Sequence, residues 1–190
     1  MQDALHHMTH WLEKAVIGLN LCPFAKAVHV KGQIHWVISD AQDDADVLSI
    51  LERELLDLQS LSADVRDTTL IVLAHAFADF YDFNDFLGRA ERLLKKLKLE
   101  GEFQIASFHP QFVFADADED DITNATNRAP YPTLHLLREA SVDRAVAAFP
   151  QAQDIFENNM HTLENLGAQG WQQLMHGAQA TGGVDEKDRP

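Results

Sequence analysis

Residues 68–76 read TTLIVLAHA, a short and nearly continuous apolar run. A stretch of that length without polar alternation is the pattern of a central strand covered on both faces. Helical periodicity flanks it on each side. Upstream, Asp40, Asp43 and Asp44 open a helix running to about Leu61, with Val47, Leu48, Leu51, Leu55 and Leu58 facing inward. Downstream, residues 80–99 form a helix that buries Phe83, Phe86, Leu87, Ala90, Leu94 and Leu97 and stops before Gly101. Beyond these helices lie two further strand patterns. VHVKGQIHWVISD (28–40) is β-branched and aromatic, with a bend at Gly32, and EFQIASF (102–108) follows the second helix. QFVFA (111–115) is a candidate fourth strand after the break at Pro110.

The N-terminal residues 3–19 carry Leu5, Met8, Leu12, Ala15, Val16 and Leu19 at helical spacing, with Gly18 and Asn20 as terminators. After Pro132 the pattern is helical. Pro132 suits a first helical position, Ser141 a cap, and residues 151–166 a helix ending at Gly167, before a short helix around Trp171, Leu174 and Met175. The order implies an α/β (or α+β) fold: a small mixed or parallel sheet of three to four strands, packed by helices, with a helical C-terminal part. Residues 1–178 are expected to form one globular domain and 179–190 a disordered tail.

Composition narrows the function classes. Thirty acidic against fifteen basic residues give a net charge of −15, and the nearest basic cluster, Lys95, Lys96 and Lys98, ends a helix. A nucleic-acid partner is therefore not expected. A small anionic molecule is, because arginines can reverse the potential inside a cleft. One cysteine excludes an internal disulfide and fits a reducing compartment. The amphipathic start MQDALHHMTHWLEKAV indicates neither a signal peptide nor a membrane span. A cytoplasmic protein is expected.

Three segments hold the candidate chemistry. Cys22 precedes Pro23; at a helix start its thiol would be acidified by free amide donors, whereas apolar neighbours Leu21 and Phe24 would do the opposite. It is either a nucleophile or a buried small hydrophobe, and a Cys-Pro pair can also ligate haem iron. His109, before Pro110, lies just beyond a strand, where α/β enzymes place acid-base groups; alternatively it bonds a loop carbonyl. In TNATNRAPYPTLHLLREAS (123–141), two prolines stiffen the chain around Tyr131, with Arg128 before them. On the helix expected to follow, His135, Arg138 and Glu139 share a face, forming an anion pocket with Arg128 or ordinary surface charges. DADEDD (116–121) fails as a calcium loop because Asp121 and Asn127 occupy the glycine and acidic positions. His6 and His10 have the spacing of a metal pair but lack a third ligand in register, so no metal site is assigned. The cofactor and the oligomeric state stay open.

WLEKAVIGLNLCPFA (11–25), FHPQFVFA (108–115) and TNRAPYPTLHLLREAS (126–141) together resemble the signature segments of a bacterial family, domain of unknown function 1415. The resemblance runs from about Trp11 to Trp171, where ENNMHTLENLGAQGW (157–171) fits the family's closing helix. It implies a bacterial cytoplasmic protein and carries no catalytic residue with it. Where members often have serine before PYP, this chain has Ala129, which removes a hydroxyl nucleophile there. Two function classes follow. In the first, an enzyme acts on a small anionic substrate, with Cys22, His109 and Tyr131 catalytic and Arg128, His135 and Arg138 binding. In the second, the chain is a non-catalytic binding or accessory module whose rigid segments are architecture.

Overall fold

A computed structural model describes residues 2–149 and 154–176. The expected tail at 179–190 and the first residues of the helix expected from 151 lie outside the described residues. The chain opens with α1 (Gln2–Trp11), which widens into a π-helical turn over Leu12–Ile17. Asn20 ends it in the left-handed region at φ 56°. Then come α2 (Ala25–Val30), β1 (Ile34–Ser39), α3 (Asp44–Ser60), β2 (Thr68–Leu73), α4 (Phe80–Lys96) and β3 (Phe103–Phe108). A 3-10 segment (Ile122–Asn127), β4 (Thr133–Arg138), α5 (Glu139–Ala148) and α6 (Ile155–His176) complete it. The fold is α/β, with a mixed four-stranded sheet in the order β1-β2-β4-β3.

β2 is central, and all six of its residues are buried. It runs parallel to β1 and antiparallel to β4, which in turn runs antiparallel to β3. One face of the sheet packs α3 and α4. There Val47, Leu51, Leu55 and Leu58 meet Ile71, Leu73, Phe83, Phe86, Leu134 and Leu136 in one cluster. Full burial of each such side chain stabilises the fold by about 1.5–3 kcal/mol. Asp43 and Asp79 cap the two helices by accepting the backbone N–H groups of Asp46 and of Tyr81 and Asp82. The opposite face meets α1 and α6: Met8, Trp11, Leu12 and Val16 pack on Leu70 and Val72, with Trp171 and Leu174 behind. α6 bends at Gly167 (φ 66°), between the two helices expected there. Among the described residues no helix is long and apolar enough to cross a membrane.

Four expectations are corrected. Residues 133–138 are not a helix begun by Pro132 but β4, inserted between β2 and β3. The alternation Thr133-Leu134-His135-Leu136 places Leu134 and Leu136 in the α3/α4 core, and two open strand edges capture the segment. Ser141 accordingly lies within α5 rather than capping a helix. The fourth strand is therefore not QFVFA, whose middle residues Phe112 to Phe114 are irregular between two turns. The strand expected from Val28 begins only at Ile34, because 25–30 form α2, closed by Gly32 at φ 67°.

Candidate functional site

On the α1 side of the sheet, the helices leave a cavity of about 690 Å³ uncovered. Its floor is the sheet: Thr68 and Leu70 of β2, His135 and Leu137 of β4, and Gln104, Ala106 and Phe108 of β3. Trp11, Leu12 and Val16 form one wall, and Cys22 to Ala25 with Ala27 and Val28 form another. α5 closes the remaining side with Val142, Ala145 and Ala148, and Phe149 follows it. The hollow has a cause in side-chain size. Alanines stand at 25, 27, 106, 145 and 148, and α5 has no buried residue of its own. The Phe24 and Phe149 rings meet edge to face at 6.0 Å, joining the Cys-Pro segment to the end of α5.

Polar groups are few. Ser141 donates to the Asp67 carboxylate at 2.5 Å, and Arg144 donates to the Ser141 hydroxyl at 2.9 Å. The exposed Arg144 guanidinium is the most available cation of the lining. Arg138 also lines the cavity, but its guanidinium donates to the carbonyls of Leu58, Leu61 and Arg66. It thereby caps the end of α3 while lying over the Phe103 ring.

The remaining polar element is His135 on the floor. Thr68 Oγ1 donates its single proton to the Leu136 carbonyl at 2.6 Å. The 2.7 Å contact between the same oxygen and His135 Nε2 must then be donated by the histidine. Nε2 carries the proton and Nδ1 is an acceptor. Burial pushes the His135 pKa down to about 4, so the ring is neutral at pH 7. Cys22 shares this cavity. Its sulfur receives the N–H groups of Phe24 and Ala25, but burial outweighs them and raises the thiol pKa. At neutral pH it is a protonated thiol, not a prepared nucleophile.

The other expected residues lie elsewhere, and the four side chains Cys22, His109, Arg128 and Tyr131 do not meet in one cleft. His109 is fully buried between Phe80 and Phe83, its ring centroid 5.4 Å from each. Its Nε2 donates to the Phe77 carbonyl at 2.9 Å, and its Nδ1 accepts from Gln111 N–H at 3.0 Å. Both nitrogens are used, holding Phe77 in the left-handed region at φ 57°. Arg128 donates to the carbonyls of Phe112 and Glu119, cross-bracing the acidic loop. Tyr131 stacks on His7 and hydrogen-bonds its Nδ1 at 3.2 Å. His135 and Arg138 are strand residues, on opposite sides of the sheet, rather than neighbours on a helix face.

The crevice at the carboxyl ends of β1 and β2, where α/β ligands often bind, is a separate acidic depression of about 560 Å³. Asp44, Asp79, Asp82 and Asp85 line it, with Asp44 paired to Arg89. Among the described residues no group of three or more His, Cys, Asp or Glu side chains is placed to hold a metal ion. Sequence reasoning missed Phe24, Ala106, Ala145, Phe149 and Arg144 because cavity walls use the same residue types as a core. The one available signal was EASVDRAVAA (139–148), whose apolar face is built of alanine and valine, too small to fill the space beneath a helix.

The model of a family described as "Protein of unknown function (DUF1415)" matches residues 3–173. No curated protein and no solved structure gives a significant match.

Proposed function

We propose, for a chain that belongs to the DUF1415 family, that it binds a small, mainly apolar molecule bearing one anionic end. The observation that carries this is the hollow itself. An open hollow of about 690 Å³ walled by Trp11, Leu12, Phe24, Leu70, Phe108 and Phe149 leaves apolar surface facing water. An apolar occupant releases that water and gains dispersion contacts on every side. Arg144 offers the anionic end a partner near Ser141. The protonated state of Cys22 favours this over thiolate chemistry. In this reading Cys22 and His135 belong to the binding cavity, Arg138 borders it at the end of β4 while its guanidinium caps α3, and His109, Arg128 and Tyr131 hold the framework.

The test uses anilinonaphthalene sulfonate, a fluorophore with an apolar body and one negative charge. Saturable binding, displaced by decanoate, is expected for the wild-type protein. Ala145→Leu fills the cavity from the α5 side and should weaken dye binding about tenfold, which corresponds to roughly 1.4 kcal/mol. Its melting temperature and circular dichroism should match the wild type. No saturable binding, or equal binding by the variant, overturns the proposal.

A further inference from the structure

We propose that His135 makes the cavity selective for an amphiphile that carries a hydrogen-bond donor, an alcohol hydroxyl, on its apolar body. The inference rests on the binding reading above and adds the chemistry of the occupant. Nε2 is committed to Thr68, whose own proton is committed to Leu136, so His135 cannot turn either nitrogen into a second donor. Among the described residues the His135 ring bonds only through Nε2, and Nδ1 has no hydrogen-bond partner. Among the described residues no fully buried side-chain nitrogen or oxygen lacks a partner, so Nδ1 must open onto the cavity that His135 lines.

The surroundings of that acceptor decide what it takes. In the sheet register Leu70 stands opposite His135 on one side and Ala106 on the other. The Phe108 ring lies at 6.0 Å. In the open cavity Nδ1 takes its hydrogen bond from entering water. An all-hydrocarbon occupant would displace that water and leave Nδ1 unpaired, at the cost of a lost hydrogen bond. A hydroxyl replaces the water's bond and keeps the apolar contacts. A second anion is not the expected group there, because a neutral Nδ1 lone pair repels it.

The experiment displaces anilinonaphthalene sulfonate from the full chain with decanoate and with a set of monohydroxydecanoates differing in hydroxyl position. At least one positional isomer should bind roughly tenfold more tightly than decanoate, the gain of one well-formed hydrogen bond. His135→Phe should remove the difference between that isomer and decanoate. On the wild-type protein, the 15N resonance of His135 Nδ1 should move upfield with the preferred isomer and not with decanoate, a readout that holds even where the variant does not fold. Displacement by decanoate with no gain from any hydroxyl overturns the donor selectivity alone. A gain that persists in His135→Phe, or an unmoved Nδ1 resonance, also overturns it. If neither decanoate nor any isomer displaces the dye, the binding reading fails and this inference fails with it.

Discussion

Cys22 shows how two physical effects of opposite sign compete at one atom. Phe24 and Ala25 direct backbone N–H groups at its sulfur, as a capped turn would, and that lowers a thiol pKa. Burial against the cluster that contains Trp11 raises it by more, and the net shift is upward. Alkylation by a small neutral reagent should therefore be slow at pH 7, rising with a midpoint above the ordinary 9.0 of a thiol. Decanoate at saturation should slow it further. A midpoint below 8 would contradict this account and restore the nucleophile. His109 resolves differently: both its nitrogens are spent on backbone groups, so its place beyond β3 serves the Phe77 turn. The residue types at 22 and 109 were visible as candidates in the sequence. Their roles were not, because each depends on groups supplied by other segments: Trp11 for the thiol, and Phe77, Phe80 and Phe83 for the imidazole.

At the scale of elements, local periodicity was reliable wherever an element packs along one face. α3 and α4 present the apolar stripes their spacing predicts, and Asp43 and Asp79 begin them by capping. One residue on the inner side of α3 breaks the pattern. Glu54 is only 4 % exposed and pairs with Arg66, itself 7 % exposed, which also donates to Thr69 Oγ1 at 2.9 Å. Arg53 shares the other carboxylate oxygen, and His35 lies at 3.7 Å. Glu54→Ala should destabilise the protein by about 3–5 kcal/mol in urea unfolding, because it strands a buried guanidinium. Removing both partners as Glu54→Leu with Arg66→Met should recover most of that loss. A loss under about 1 kcal/mol for the single variant would show that water already solvates the pair. β4 is the element that periodicity misassigned. Its alternation spans only six residues, and Pro132 and Glu139 at its ends are good helix signals. The pairing offered by β2 and β3 outweighed them.

For the whole molecule, acid should be the effective denaturant. His135 has a folded pKa of about 4 against roughly 6.5 unfolded, so between these values the unfolded chain binds more protons. The stability from keeping His135 neutral is complete above pH 6.5 and is lost as pH falls towards 4. It amounts to roughly 3 kcal/mol at most. Burial lowers the pKa values of His35 and His109 as well, and their contributions fall in the same direction. Protonation also relieves repulsion within a chain of net charge −15, so the histidine effect is best read as the difference between wild type and His135→Leu. Between pH 7 and 4 the urea midpoint of the wild type should fall relative to that of His135→Leu; parallel profiles would contradict the depressed His135 pKa. The sequence by itself determined the family, the buried central strand and the inner faces of the helices beside it. Those features are written in runs, spacings and caps within a few residues of one another. Tertiary structure alone decided the strand order, the cavity and the protonation of Cys22 and His135. Thr68 meets His135 and Phe24 meets Phe149 only after the chain has folded, and burial, which sets both pKa shifts, is a property of that packing.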